Sequence, residues 1–577
     1  MIKTSLLISI FTLTLLCPSN IASDAGKYPQ NYFRSPVDFS ISLAGSFGEL
    51  RRNHFHSGID IRTGGAVGKP VRAAADGYIS RVFVNQAGFG KALYVTHPNG
   101  YTTVYGHLLR FNGAIGQWIN KQQYEKESFV MDVQVPQGLL KVKKGDVIAF
   151  SGNSGASGGP HVHFEVRESN SQEVINPLEF GFDVPDKTPP KITAVKIYPF
   201  DDLALVNNTG KALMLGVSGG GGSYSFKTAD TIRVSGNIIF GIETTDFSDN
   251  SGMKNGVPSL SLAIDNEQIY SHHLEKFSFA NTRYVNSLVD FPLLIHSNRK
   301  IQRSYIAPNN KNDIYSNVKN RGIVKFSDSK AHKVVYTVTD LYSNSSRLVF
   351  WVKSNPPPGR RIENKIQKGL QTMRCGEENH FVHPDITLDL PKEALYEDLD
   401  YEYSSEPALP GTYSGLHHVH NEDTPLHVNC SLAIKPTSLP RDLMDKAVIV
   451  AVEPGHRFYS KGGVWENGFL KTQVKDFGDY CIAVDTEPPA IRAINVKPGK
   501  NVSRMSSIMF KISDNLSGIK SYKGTISGKW VLMDYDAKNN LLTYIIDEHM
   551  PKGKNSFRLV VTDAVGNQSR YEAVLTR

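Results

Sequence analysis

Four histidines and one aspartate, His56, Asp60, His107, His161 and His163, stand at spacings that can build a hydrolytic metal centre. His56-Ser-Gly-Ile-Asp60 sets an imidazole four residues before a carboxylate, with Gly58 between them to allow a turn. His161-Val-His163 lies in the strand-like stretch Val162-His-Phe-Glu-Val166. Strand side chains alternate faces, so residues i and i+2 project together and both rings look into the same space. Tyr105-Gly-His107 closes the alternating run Tyr101-Thr-Thr-Val-Tyr105 and places a further imidazole at a strand end. Neutral imidazole nitrogen and carboxylate oxygen are donors that Zn²⁺ prefers; two histidines with one aspartate leave a fourth position open for water, the arrangement of a catalytic zinc site. Each motif alone is common, and the specificity lies in their combination and β context. His54 also belongs to an HxH, but only His56 precedes Asp60 by four, so His54 reads as a rim residue. Arg51 and Arg52 either greet substrate carboxylates or form a solvated pair, and the solvated pair is the preferred reading.

The strands that must carry these residues belong to a chain of 577 residues, enough for about four domains. Apolar residues at 40% and charged residues at 21% are globular values that exclude a disordered or collagenous chain. The 48 glycines, 30 prolines and 25 tyrosines favour strands and turns over long helices. A formal charge of +8 over this length is a mild bias without basic stripes, which argues against nucleic-acid binding and is compatible with an anionic polymer.

Between Phe47-Gly-Glu and Asn176-Pro-Leu the sequence resembles the M23 family of zinc metallopeptidases, the lysostaphin-like or LytM-type peptidoglycan endopeptidases. The resemblance rests on His56-Ser-Gly-Ile-Asp60, Pro70-Val-Arg-Ala-Ala-Ala-Asp-Gly77, Thr102-Thr-Val-Tyr-Gly-His-Leu108, Val142-Lys-Lys-Gly-Asp-Val-Ile148, Ser151-Gly-Asn-Ser-Gly155 and Gly159-Pro-His-Val-His-Phe-Glu165. It implies zinc ligands at His56, Asp60 and His163, with His161 and His107 as catalytic partners. We assign His161 as base and His107 as oxyanion stabiliser, roles that the sequence leaves exchangeable. The implied function is hydrolysis of peptide bonds in peptidoglycan cross-links. The alternatives are a non-catalytic LytM-like activator of cell-wall amidases, against which the complete ligand set argues, and a surface adhesion protein. The stretch Phe111 to Leu140 exceeds what the compact family core needs and is read as a surface hairpin.

The expected fold class is mainly β: a LytM-type antiparallel β-sheet peptidase domain followed by β-sandwich, immunoglobulin-like modules. Lys3, the apolar run Ser5 to Cys17 and small residues near Ala22 predict a signal peptide over 1–23 and an exported product, periplasmic or at the cell surface. Cys17 offers a lipid-anchor alternative, which the bulky Leu16 disfavours. No later segment is long and apolar enough to span a membrane. The peptidase domain is expected over 24–186, an immunoglobulin-like module over 187–354, a β-rich module of uncertain type over 355–486, and a second immunoglobulin-like module over 487–577. A fragment of about 25–186 is expected to stand alone.

The two immunoglobulin-like modules read as diverged copies. Each opens on Pro-Pro and closes on a shared phrase, Val338-Thr-Asp340 with Asn344 and Val561-Thr-Asp563 with Asn567, while Asp249-Asn-Ser-Gly252 answers Asp514-Asn-Leu-Ser-Gly518. Turn chemistry is the preferred reading of these aspartates over calcium binding, because an EF-hand spacing is missing. Gly216 to Gly222 is read as a mobile loop, and His417-His418-Val-His420 with Glu422 as a solvated loop rather than a metal site. Cys375, Cys430 and Cys481 allow at most one disulfide, or are simply three buried apolar thiols.

Overall fold

The computed structural model describes residues 26–227, 231–249, 252–356 and 369–577. The signal-peptide and Cys17 expectations lie outside the described residues. The chain is mainly β, and four apolar cores follow one another along it: residues 28–184, 192–352, 373–482 and 496–575. Alternation drives this organisation. Ser345–Ser354 and Lys554–Asp563 expose and bury successive residues, as a strand with one face on a core must. Among the described residues no helix is long and apolar enough to cross a membrane.

In the first core, an antiparallel sheet centres on the strand His161–Glu168, flanked by Ile59–Arg62 on one side and Tyr101–Gly106 on the other. Register sets His163 opposite Asp60 on one neighbour and opposite Gly106 on the other. In the second core, Ile232–Thr245 pairs antiparallel with Lys191–Pro199 and parallel with Ser345–Ser354, so the sheet curls back on itself. The third and fourth cores each lie between two sheets, five-stranded pairs in the third and four-stranded pairs in the fourth.

Several local expectations are corrected. Phe111 to Leu140 is no hairpin: Gly113–Glu125 is a helix, with Ile115, Ile119 and Gln123 at four-residue steps facing the core, followed by the edge strand Met131–Gln134. Gly116 and the polar run after Ile119 had masked that stripe. Tyr124 on this helix stacks on His549 at 3.7 Å and donates to Asp547 at 2.6 Å, which docks the last module against the first domain. Gly216 to Gly222 belongs to a hairpin of Leu213–Gly220 and Ser223–Phe226. His417 and His418 sit on the strand Leu416–Val419, with His417 buried against the Tyr403 hydroxyl and His418 paired with Asp479. Cys375, Cys430 and Cys481 are free thiols, and burial pushes Cys430 and Cys481 up to about 12.

The first two cores share a boundary that the sequence conceals. The edge strand Val174–Ile175 pairs with Lys276–Phe277, while Phe47, Phe55 and Val174 cluster with Leu274, Phe277, Val285 and Phe291. A fragment ending at 186 therefore exposes several apolar side chains, each contributing about 1.5–3 kcal/mol when buried. We expect fragment 26–186 to unfold at a lower temperature than fragment 26–356, or to aggregate, as judged by calorimetry and light scattering. Equal unfolding temperatures with both fragments monomeric would contradict this and support the stand-alone expectation.

Candidate metal centre

His56 enters the site from the short hairpin of Leu50–Arg51 and His54–Phe55, and Asp60 follows on the strand Ile59–Arg62. Gly58 joins them where the backbone crosses the central strand: a Cβ there would stand 2.3 Å from the Phe164 carbonyl oxygen, so only glycine fits. His163 faces Asp60 through the sheet register. The result is a triangle of donors. His56 Nε2 lies 3.0 Å from Asp60 Oδ1 and 3.1 Å from His163 Nδ1, and His163 Nδ1 lies 2.9 Å from Asp60 Oδ1. Donors at ~2.0–2.1 Å from a tetrahedral zinc stand about 3.3 Å apart, so this triangle fits three corners of such a site after a small outward adjustment.

The outer nitrogens fix the tautomers. His56 Nδ1–H donates to the Ser46 carbonyl at 2.7 Å, and His163 Nε2–H donates to Glu165 Oε1 at 3.0 Å. Each inner nitrogen is thereby left to face the triangle; burial would lower the His163 imidazole, but Asp60 and Glu165 raise it to about 9, so a bound metal would displace its inner proton. Burial alone would raise the Asp60 carboxyl, but the His56, His161 and His163 rings facing it hold it well below the usual carboxylate range. Its second oxygen, Oδ2, accepts from Arg51 at 2.9 Å, and Arg51 also bonds Glu49 at 3.1 Å. Arg51 is therefore a brace on the Asp60 carboxylate rather than half of a solvated pair. Arg52 is exposed, and so is His54, whose Nδ1 meets the Arg52 carbonyl away from the triangle.

His161 and His107 come up beside the triangle. His161 Nδ1–H donates to the Gly159 carbonyl at 2.8 Å, and its Nε2 is buried without a hydrogen-bond partner, 3.3 Å from Asp60 Oδ1. His107 Nδ1–H donates to the Ser154 carbonyl at 2.8 Å, and its ring lies 4.7 Å from that of His161. Burial first, then the His163 and His161 rings, push His107 down to about 3, so it is neutral at ordinary pH. Its backbone is left-handed, φ 57°, a conformation costly for a residue with a Cβ and held here by the strand end.

Both acceptor carbonyls belong to the loop Ser151 to Gly159, which lies flat on its neighbours: a Cβ on Gly155 would stand 2.3 Å from Gly90 N. The loop has a second anchor from far along the chain. Lys538 of the last module donates to the Ser157 carbonyl at 3.0 Å and to the Asn153 carbonyl, and Asp534 pairs with Lys91 beneath.

Sequence reasoning missed three participants. Glu165, fully buried, bridges His163 and Arg167, whose Nε donates to Oε2 at 2.7 Å. Burial would raise its carboxyl, but the Arg167 guanidinium and His163 bring it down to about 2. Strand alternation carried that signal, since residues 161, 163, 165 and 167 share a face. Arg51 was weighed in the sequence but read as solvated, whereas Lys538 acts across the fold and left no local sign.

Residues 54–124 and 131–177 match Peptidase family M23, and residues 370–485 match a Zu5-like domain. The DD-carboxypeptidase/endopeptidase Mpg of Neisseria meningitidis serogroup B is 35% identical over 133 residues, 23% of this chain and 24% of that protein. The peptidoglycan DD-endopeptidase ShyC of Vibrio cholerae serotype O1 is 29% identical over 138 residues, 23% of this chain and 26% of that protein. The chain thus spans about a quarter of the length of the curated relatives it matches. Among solved structures, the catalytic domain of the prophage-encoded M23 protein EnpA from Enterococcus faecalis aligns with 26% identity over 27% of this chain and 97% of that chain, with a TM-score of 0.19.

Proposed function

We propose that the chain, whose residues 54–124 and 131–177 match Peptidase family M23, is an exported zinc metalloendopeptidase that hydrolyses peptide cross-links of peptidoglycan. The observation that carries this reading is the inward triangle of His56 Nε2, Asp60 Oδ1 and His163 Nδ1 beside the unpartnered His161 Nε2. ShyC, named as a peptidoglycan DD-endopeptidase, supports the substrate class, and Mpg, named as a DD-carboxypeptidase/endopeptidase, supports the reaction class. The leader expected over 1–23 supplies the route to that polymer, in the periplasm or at the cell surface. In this reading residues 24–186 carry the chemistry, and 187–354, 355–486 and 487–577 hold and present it. The intact donor set with two further imidazoles weighs against a non-catalytic amidase activator.

His56, Asp60 and His163 would hold a zinc ion, which when bound would supply Lewis-acid polarisation of the scissile carbonyl and a more acidic water. The Gly159 carbonyl fixes the His161 proton on Nδ1, so Nε2 is free to take a proton from the attacking water and later return it to the leaving amine. His107 is held in the same tautomer by Ser154 and presents a second lone pair. A neutral ring in that tautomer accepts rather than donates, so we place His107 as the acceptor of the water's other hydrogen, in place of the oxyanion role assigned from sequence. With both hydrogens accepted, the attacking lone pair is aimed at the carbonyl carbon. Nothing lies within 4 Å of where side chains on Gly158 and Gly159 would point, which leaves room for an extended peptide along the loop.

Purified full-length protein is expected to convert cross-linked muropeptide dimers into monomers, read by mass analysis of sacculus digests, with the D,D-bond as the expected scissile bond. Products limited to glycan fragments, or to stem peptides released from muramic acid, would sink the endopeptidase reading.

A further inference from the structure

Two further carboxylate clusters lie far from the peptidase site, and they are built alike. Asp186, Asp246 and Asp340 bring ligand oxygens within 4.8 Å of one another, as do Asp485, Asp514 and Asp563. In each, the first aspartate ends one domain just before a Pro-Pro step, and the others belong to the module that follows. The supporting bonds repeat. Asn344 donates through its backbone and side chain to Asp340 and through Nδ2 to the Asp186 carbonyl, and Asn567 does the same for Asp563 and the Asp485 carbonyl.

Turn chemistry explains those bonds and leaves other atoms without a role. Asp246 Oδ1 and Asn255 Oδ1 are buried with no hydrogen-bond partner, on residues only 5% and 6% exposed. Both residues line a cavity of about 30 Å³ together with Asp186 and Asp340. Asn255 is uncharged and lies outside the carboxylate trio, yet its residue lines the same small space. In the second cluster Asp514 Oδ1 is also unpartnered, but its residue is only half-buried, and Asp485 and Asp563 accept hydrogen bonds from the surrounding turns, so turn chemistry accounts for that trio. Burial, and then Asp186 and Asp340, push Asp246 up to about 8, a crowding that a cation relieves. Lone acceptors gathered around a space of ionic size, with oxygen as the only donor element, suit a hard divalent ion. Calcium accepts such irregular protein-oxygen sets at ~2.3–2.6 Å, whereas magnesium demands a near-octahedral shell and retains waters.

We propose that the first joint binds one calcium ion, held by Asp186, Asp246, Asp340 and Asn255. The ion ties the residue that ends the first domain to two strands' ends in the next, and so fixes the angle at the joint.

The test uses zinc-loaded full-length protein in chelating-resin-treated buffer, with calcium chloride as the probe. Equilibrium dialysis should find one calcium ion per chain, and thermal unfolding should rise by several degrees in millimolar calcium but not in equal magnesium. Asp246→Asn should bind none and show no calcium shift, whereas Asp514→Asn should bind as the parent does. In calcium-free buffer Asp246→Asn should unfold no lower than the parent, because a like charge has been removed. No calcium bound at millimolar concentration, retention of the ion by Asp246→Asn, or an equal response to magnesium would each overturn the proposal. Should the variant fail to fold, dialysis of the unaltered protein decides it.

Discussion

His163→Ala is expected to yield a folded protein that no longer retains zinc or turns over muropeptide dimers, whereas His161→Ala keeps its zinc and loses rate by ~10²–10⁴-fold. The two rings sit on one strand face two residues apart, so proximity alone does not separate them. Their outer nitrogens do. His163 spends Nε2–H on Glu165 and turns Nδ1 into the triangle with His56 and Asp60. Removing it leaves two protein donors, one short of the catalytic set. His161 turns Nε2 towards the same space, but only His56, Asp60 and His163 bring ligand atoms all within 4.8 Å of one another, so the loss of His161 is expected to remove proton transfer and leave coordination intact. His107→Ala should follow His161→Ala in metal content. Zinc per chain, measured beside dimer turnover on the same preparations, separates the cases. If His161→Ala sheds the metal and His163→Ala keeps it, the two roles must be exchanged; if all three variants stay active, the site lies elsewhere.

Glu165→Gln should weaken zinc retention by about 10–100-fold and also destabilise the metal-free protein. Glu165 accepts from His163 on one oxygen and from Arg167 on the other, fully buried. A glutamine of the same shape has one acceptor and one donor end, so either His163 or the Arg167 guanidinium faces an N–H. Turned towards the histidine, the amide frees its tautomer and orientation; turned towards Arg167, it leaves a nearly buried cation without its carboxylate. Breaking a buried pair in this way costs about 3–5 kcal/mol. Chelator competition measures the first effect, and urea unfolding of the metal-free form measures the second. Unchanged affinity together with unchanged stability would show that Glu165 neither orients His163 nor balances Arg167.

The parts of the site legible in the sequence are those set by local periodicity. Alternation along His161–Glu168 puts both rings on one face, and the glycine between His56 and Asp60 marks a turn that the close approach of Phe164 makes necessary. The tautomers were not legible, because they depend on carbonyls of Ser46, Ser154 and Gly159, which have no side-chain signature. The left-handed backbone of His107 was hidden for the same reason. The helix Gly113–Glu125 was missed because two glycines and a polar second half blur its apolar stripe, and its packing against the core and the last module overrides that weak propensity. His417 looked solvated beside Gly and Asp, but strand pairing with Tyr480 buries it.

The docking of Lys538 onto the loop Ser151 to Gly159 also orders events in time. The strand that ends at Glu168 leaves the ribosome some 370 residues before Lys538 does. At ~5–20 residues per second this is a delay of roughly 20–70 s. During it the first sheet can close, since its own pairings are sequence-local by comparison, while the loop that fixes the His107 and His161 tautomers still lacks its distant clamp. The site is thereby finished last at this loop, and a chain cut short before residue 538 carries all four histidines without the Lys538 clamp on the loop whose carbonyls hold His107 and His161.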